Sequence, residues 1–122
     1  MGLILIDSSV WIDHIRAPLP ALAALLSEQR VVQHPFVTGE VALGSMANRE
    51  RIIAMLAALP QAERADDDQF LAFVETRRIF GTGLGFVDCQ LLISATVLGG
   101  TVWSTDKRLA RQAERLGLAY QP

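Results

Sequence analysis

What most restricts the fold of this chain is the alternation of very short apolar runs with longer amphipathic ones. Residues 3–6, LILI, are apolar without a break and stop at Asp7. Residues 101–105, TVWST, offer a second strand, apolar at Val102 and Trp103, that stops at Asp106. A continuous apolar run this short suits a strand buried on both faces. Residues 31–32 offer another strand, and residues 118–120 a last short one. The intervening segments carry helical spacing. Ser8 or Ser9 can cap a helix to about Arg16, and Pro18 and Pro20 start a second, with Leu22, Leu25 and Leu26 on one stripe. A third follows Thr38 and Gly39, with Glu40 expected in its first turn. Ile52, Ile53, Leu56 and Leu59 mark a fourth that ends at Pro60. Asp66 or Asp67 caps a fifth, in which Phe70, Phe73, Val74 and Arg77 follow one face. Gly81, Gly83 and Gly85 make a pliable loop. Asp88 is expected to open a helix to about Leu98, and Gly117 to stop one over residues 107–116. Strands separated by helices, with no tight hairpin signal, imply an α/β fold with a parallel sheet covered on both faces.

The chain has 122 residues, which fits one domain over residues 1–122 and hardly two. No apolar run approaches the roughly 18 residues of a membrane span, and the start reads as a strand, not a signal peptide. The single cysteine, Cys89, leaves no internal disulfide framework and suits a reducing, cytoplasmic setting. Hydrophobic residues make up 51%, enough to suggest that a partner covers part of the surface. Leu22, Leu25, Leu26, Leu56 and Leu59 are candidates for such a groove. The net charge of −2 gives no bulk attraction for nucleic acid. The placement of the acids matters more than their sum.

In parallel sheets ligands bind beyond the carboxyl ends of the strands. Asp7 and Asp106 both fall at that edge. Glu40 and Asp88 are expected at helix N-termini, each heading an apolar stripe: Leu43, Gly44 and Ala47 for one, Leu91, Leu92 and Ala95 for the other. Both acids should therefore face inward. A helix N-terminus favours a carboxylate by only about 0.3–1 kcal/mol. Two carboxylates ~6 Å apart at an effective dielectric near 20 repel by roughly 2–3 kcal/mol. A hard divalent cation is the natural remedy, and all-oxygen ligation suits Mg²⁺ or Mn²⁺. Taken singly, each acid could be no more than a helix cap. The coincidence of four at one edge points to a site.

The segments LILIDSSVWIDH with Asp7, FVTGEVALGS with Glu40, GFVDCQLLISATVLGG with Asp88 and TVWSTDKRLAR with Asp106 together resemble a PIN-domain ribonuclease. The likeness is to the VapC toxins of type II toxin–antitoxin pairs, and it covers essentially the whole chain. It implies a three-layer fold with a central parallel sheet of about five strands. It also implies Mg²⁺- or Mn²⁺-dependent endoribonuclease activity, a homodimer, and neutralisation by a cognate antitoxin. Asp7, Glu40, Asp88 and Asp106 match the family's catalytic and metal-binding acids one for one. Ser8 stands where the family has threonine or serine and can hold Asp7 or a metal-bound water; Thr105, beside Asp106, is a second supporting candidate. Lys107, Arg77 and Trp11 are the candidate RNA contacts, with a core or interface role the competing reading for Trp11 and a buried stem that for Arg77. The alternative function is a catalytically silent PIN-like module that binds protein or RNA.

Other signals lead nowhere. Residues 66–68, DDD, open a helix, and capping explains them better than metal binding. His14 and His34 lack a partner at ligand spacing, and Cys89 lacks a base and packs as a small hydrophobe. A haloacid-dehalogenase enzyme would need a second aspartate where Ser9 stands. A response-regulator receiver would need a strand ending in aspartate mid-chain.

Overall fold

A computed structural model describes residues 2–122. Three parallel strands form its sheet, β1 (Ile4–Ile6), β2 (Val31–Val32) and β3 (Thr101–Trp103), in the order β2-β1-β3. Ile4 is opposite Val31 and Thr101, and Ile6 is opposite Trp103. All three residues of β1 are 1% exposed, as expected of a central strand covered on both faces. Full burial of each such side chain is worth roughly 1.5–3 kcal/mol.

Seven helices are described: α1 (Ser8–Arg16), α2 (Pro20–Ser27), α3 (Pro35–Ala42), α4 (Arg49–Ala58), α5 (Asp67–Thr76), α6 (Phe86–Leu98) and α7 (Lys107–Arg115). Helix α6 packs on β1, β3 and α5. Its residues 89–95 are buried without interruption, so this helix is central to the core. Gly99 ends it in the left-handed region at φ 64°. Gly100 is needed for a different reason: a Cβ there would meet the Leu3 carbonyl oxygen at 2.5 Å, where α6 turns back onto the sheet.

The sheet is smaller than the expected five strands. Two further segments reach it through single bridges, Gln61 beside Gln33 and Ala119 beside Val102. Gln33 N donates to Pro60 O and Ala62 N donates to Gln33 O, both at 2.8 Å. Pro60 has no N–H, so the pairing cannot extend backward through it. On the other side Tyr120 N donates to Val102 O at 2.9 Å.

Three other expectations change. Trp11 is 1% exposed, and its Nε1 donates to Gln33 Oε1 at 3.1 Å. It is a core residue tying α1 to the end of β2 and cannot stack on RNA. Leu22, Leu25 and Leu56 are 0–3% exposed, because the stripes they form face the core and not a partner groove. Asp7, not Ser8 or Ser9, is the N-cap of α1.

Candidate active site

Asp7 ends β1, and its amide still pairs with Trp103 O at 3.0 Å. Its carboxylate is turned away from the helix amides and is nearly buried, at 4% exposure. Oδ2 accepts from Ser9 Oγ at 2.7 Å and from Ser104 Oγ at 2.8 Å. Each serine also accepts a backbone amide: Thr105 N on Ser9 at 3.1 Å, and Asp106 N on Ser104 at 2.9 Å. The amides leave each hydroxyl proton free to point at Asp7. Two serines thus lock the β1–α1 turn to the β3–α7 turn. Asp106 is the N-cap of α7, with Oδ1 accepting from Arg108 N at 2.9 Å and Leu109 N at 3.3 Å.

Asp88 lies in the first turn of α6, and its Oδ2 accepts from Gly85 N at 3.2 Å. Glu40 differs from its expected placement. Pro35 starts α3, with His34 as N-cap, its Nδ1 accepting from Phe36 N at 3.0 Å. Glu40 therefore sits in the second half of the helix, where the helix dipole no longer favours it. Leu43 is 90% exposed, so the stripe expected to run inward from Glu40 does not; Val37 and Val41 are the buried face.

The four acids nonetheless feel one another. Glu40 has its pKa raised, first by desolvation and then by Asp7 and Asp88, while the Ser8 hydroxyl beside it acts the other way. Asp88 is also raised by desolvation first and then by Asp7 and Asp106, against the Gly85 amide. No cationic side chain figures among these influences. The only ion pair among the described residues is Arg30–Glu28, far from this edge in sequence.

Among the described residues, no three His, Cys, Asp or Glu side chains close around a point as a ready metal cage. Each of the three aspartates commits one oxygen to serine or backbone donors and makes no described hydrogen bond through the other. The donor set that remains is Asp7 Oδ1, Asp88 Oδ1, Asp106 Oδ2 and Glu40. These are hard oxygen donors without nitrogen or sulfur among them, the chemistry that Mg²⁺ and Mn²⁺ take.

Of the supporting candidates, Ser8 is half-buried beside Glu40 and Thr105 reaches Ser9 through its amide only. Lys107 is exposed at the start of α7. Arg77 lies at the end of α5, its guanidinium 5.4 Å from the Phe73 ring centroid, so its stem is held on that helix. Asp66 forms a capping box with Gln69. Burial and then Asp88 push the Cys89 thiol up to about 11. Ser9 and Ser104 are the residues that sequence reasoning overlooked. The signal was present: a hydroxyl residue two positions after Asp7 is mirrored by one two positions before Asp106.

No family model matches the chain. It is 42% identical to ribonuclease VapC32 of Mycobacterium tuberculosis strain H37Rv over 118 residues, which covers 96% of this chain and 95% of that protein. The same values hold for ribonuclease VapC32 of strain CDC 1551. The crystal structure of PAE2754 from Pyrobaculum aerophilum matches in fold with a TM-score of 0.69, over 98% of this chain and 88% of that one, at 15% identity. With identity at this level over nearly the whole length, the chain belongs to the VapC family of PIN-domain toxin ribonucleases.

Proposed function

We propose that the chain is an endoribonuclease whose cleavage site is formed by Asp7, Glu40, Asp88 and Asp106 around Mg²⁺ or Mn²⁺. One observation carries this reading. Glu40 and Asp88 are both pushed toward their neutral forms by desolvation and by neighbouring acids, Asp7 among them, and no basic side chain figures among these influences. A bound divalent ion would supply Lewis-acid charge and a water of lowered pKa for in-line attack on an RNA phosphodiester.

The protein's own residues divide the remaining work. Ser9 and Ser104 fix the Asp7 carboxylate, leaving Oδ1 directed by two hydrogen bonds on its neighbour. The Ser8 hydroxyl steadies Glu40. Asp88 or Asp106 would accept the proton of the attacking water. Such a cut leaves a 5′-phosphate and a 3′-hydroxyl. Lys107, exposed beside Asp106, is placed to meet a phosphate.

The VapC resemblance extends the reading to a cognate antitoxin that silences the chain, a homodimer, and action in the cytoplasm. None of the described helices is long and apolar enough to cross a membrane. The test is cleavage of RNA with Mg²⁺ or Mn²⁺, lost in chelator and lost in Asp7→Asn. Undiminished cutting by Asp7→Asn would overturn the site.

A further inference from the structure

The core uses α6 from Cys89 onward, yet its first residue, Phe86, is 55% exposed. This ring is not isolated. Phe70 of α5 stacks on it, with centroids 4.7 Å apart and planes at 27°. Phe36 of α3 lies 5.7 Å away, and His34 adjoins Phe36 at 5.1 Å. Three elements thus converge on an aromatic cluster in which the exposed Phe86 ring lies between Phe36 and Phe70.

Its position is informative. Phe86 precedes Asp88 by two residues in the first turn of α6. Phe36 precedes Glu40 by four, and residues so spaced are neighbours on a helix surface. Through Phe36 the cluster adjoins Glu40, and Phe86 shares the first turn of α6 with Asp88, though not its face. Cations flank the cluster as well. The Arg64 guanidinium sits 5.2 Å from the Phe36 centroid. Arg108 runs along the loop before Phe86, its Cδ 3.5 Å from where a Gly83 Cβ would be. Neither belongs to the ion pair found among the described residues.

We propose that Phe86, backed by Phe70 and Phe36, is a stacking platform for an unpaired nucleobase beside the cleaved phosphate, with Arg64 and Arg108 facing the RNA backbone. Phe70 covers one face of Phe86, and the ring's large remaining exposure leaves room for a base. Ring faces stack any base without reading its edges, and guanidinium groups on the same surface meet its phosphates. In a chain of net charge −2, such a local match supplies the affinity that bulk charge does not. The proposal rests on the reading of the four carboxylates as the cleavage site, and deepens it by naming single-stranded RNA as the form bound.

The test uses the full chain and single-stranded RNA carrying 2-aminopurine, whose fluorescence is quenched by stacking. Binding is measured in an Asp88→Asn background so that the RNA stays intact; cleavage is measured with the parent chain. Phe86→Ala and Phe86→Leu should each weaken binding about tenfold and abolish the added quenching, whereas Phe86→Trp should keep both. Phe86→Leu preserves apolar bulk, so it decides the matter if the alanine variant fails to fold. Unchanged binding and quenching in Phe86→Leu, with cleavage abolished by Asp88→Asn, overturns the platform and leaves the cleavage site standing. Cleavage that survives Asp88→Asn overturns the site instead. Loss of antitoxin binding with RNA binding intact makes this patch a protein-docking surface, which also overturns the proposal.

Discussion

The two halves of the acidic edge are held in different ways. Asp7 and Asp106 lie on turns that two serines bolt together, through bonds of 2.7 to 3.1 Å to Asp7 and to the Thr105 and Asp106 amides. Glu40 and Asp88 lie on helices, one exposed and one half-buried, and both are pushed toward their neutral forms by desolvation and by the other acids. One half is preorganised by the protein. The other is under electrostatic strain that a cation would relieve. On the proposed reading, such a site would hold part of its geometry before an ion arrived and would gain affinity for it by relieving this repulsion.

The largest expected effect comes from breaking the rigid half. Asp7→Asn should lower metal-dependent RNA cleavage by at least about a hundredfold, because it removes a charge and a ligand oxygen at the best-held position. Gel assays of a radiolabelled RNA measure it. Ser104→Ala should act more mildly on activity, by about tenfold, as losses of ligand-orienting bonds do. It leaves Asp7 with one hydroxyl donor and Asp106 N without its acceptor, so urea unfolding should show a loss of about 1–3 kcal/mol. A Ser104→Ala chain as stable as the parent would mean that the two turns are not braced there.

The strained half should respond in the opposite direction. In chelator at neutral pH, Glu40→Gln should raise the melting temperature by up to a few degrees while abolishing activity. Asp88→Asn should raise it less, because the Gly85 amide favours the charged form. The sign follows from linkage. A carboxyl whose folded pKa is raised contributes stability that is fully present below its unfolded pKa and is lost as pH rises through the folded value. The metal-free chain should therefore lose the contribution of Glu40 and Asp88 on going from acid toward neutral pH, and Mg²⁺ should restore it. A thermal-shift series with and without Mg²⁺ checks this; an identical pH dependence in Glu40→Gln and parent contradicts it.

The smallest effect concerns Cys89, directly after Asp88. With its thiol raised to about 11 and 2% exposed, it should alkylate slowly near pH 8 and only when the start of α6 opens. Divalent ion should slow the reaction further if it tightens this half. Iodoacetamide kinetics followed by mass spectrometry would show it.

The strand–helix alternation was legible in the chain because it depends on local pattern: the short apolar run before Asp7 holds the covered strand Ile4–Ile6, and Gly99 and Pro20 punctuate helices. Capping by Asp66 and Asp106 was readable for the same reason. The start of α3 was not. Thr38 and Gly39 suggested a helix entrance, whereas Pro35 with the His34 ring as cap begins it earlier and moves Glu40 a turn along. The fate of Trp11 was equally hidden, since an indole facing Gln33 and one facing solvent have the same spacing.

By itself the sequence determined the order of strands and helices and where most of them lie, because backbone preference and hydrophobic period are properties of neighbours. Only the tertiary structure decided that Ser9 and Ser104, 95 residues apart, share one carboxylate. It also left the sheet at three strands with a single bridge at each edge. Both depend on how distant segments meet, and hydrogen bonds between such segments are set by packing and carry no local signature.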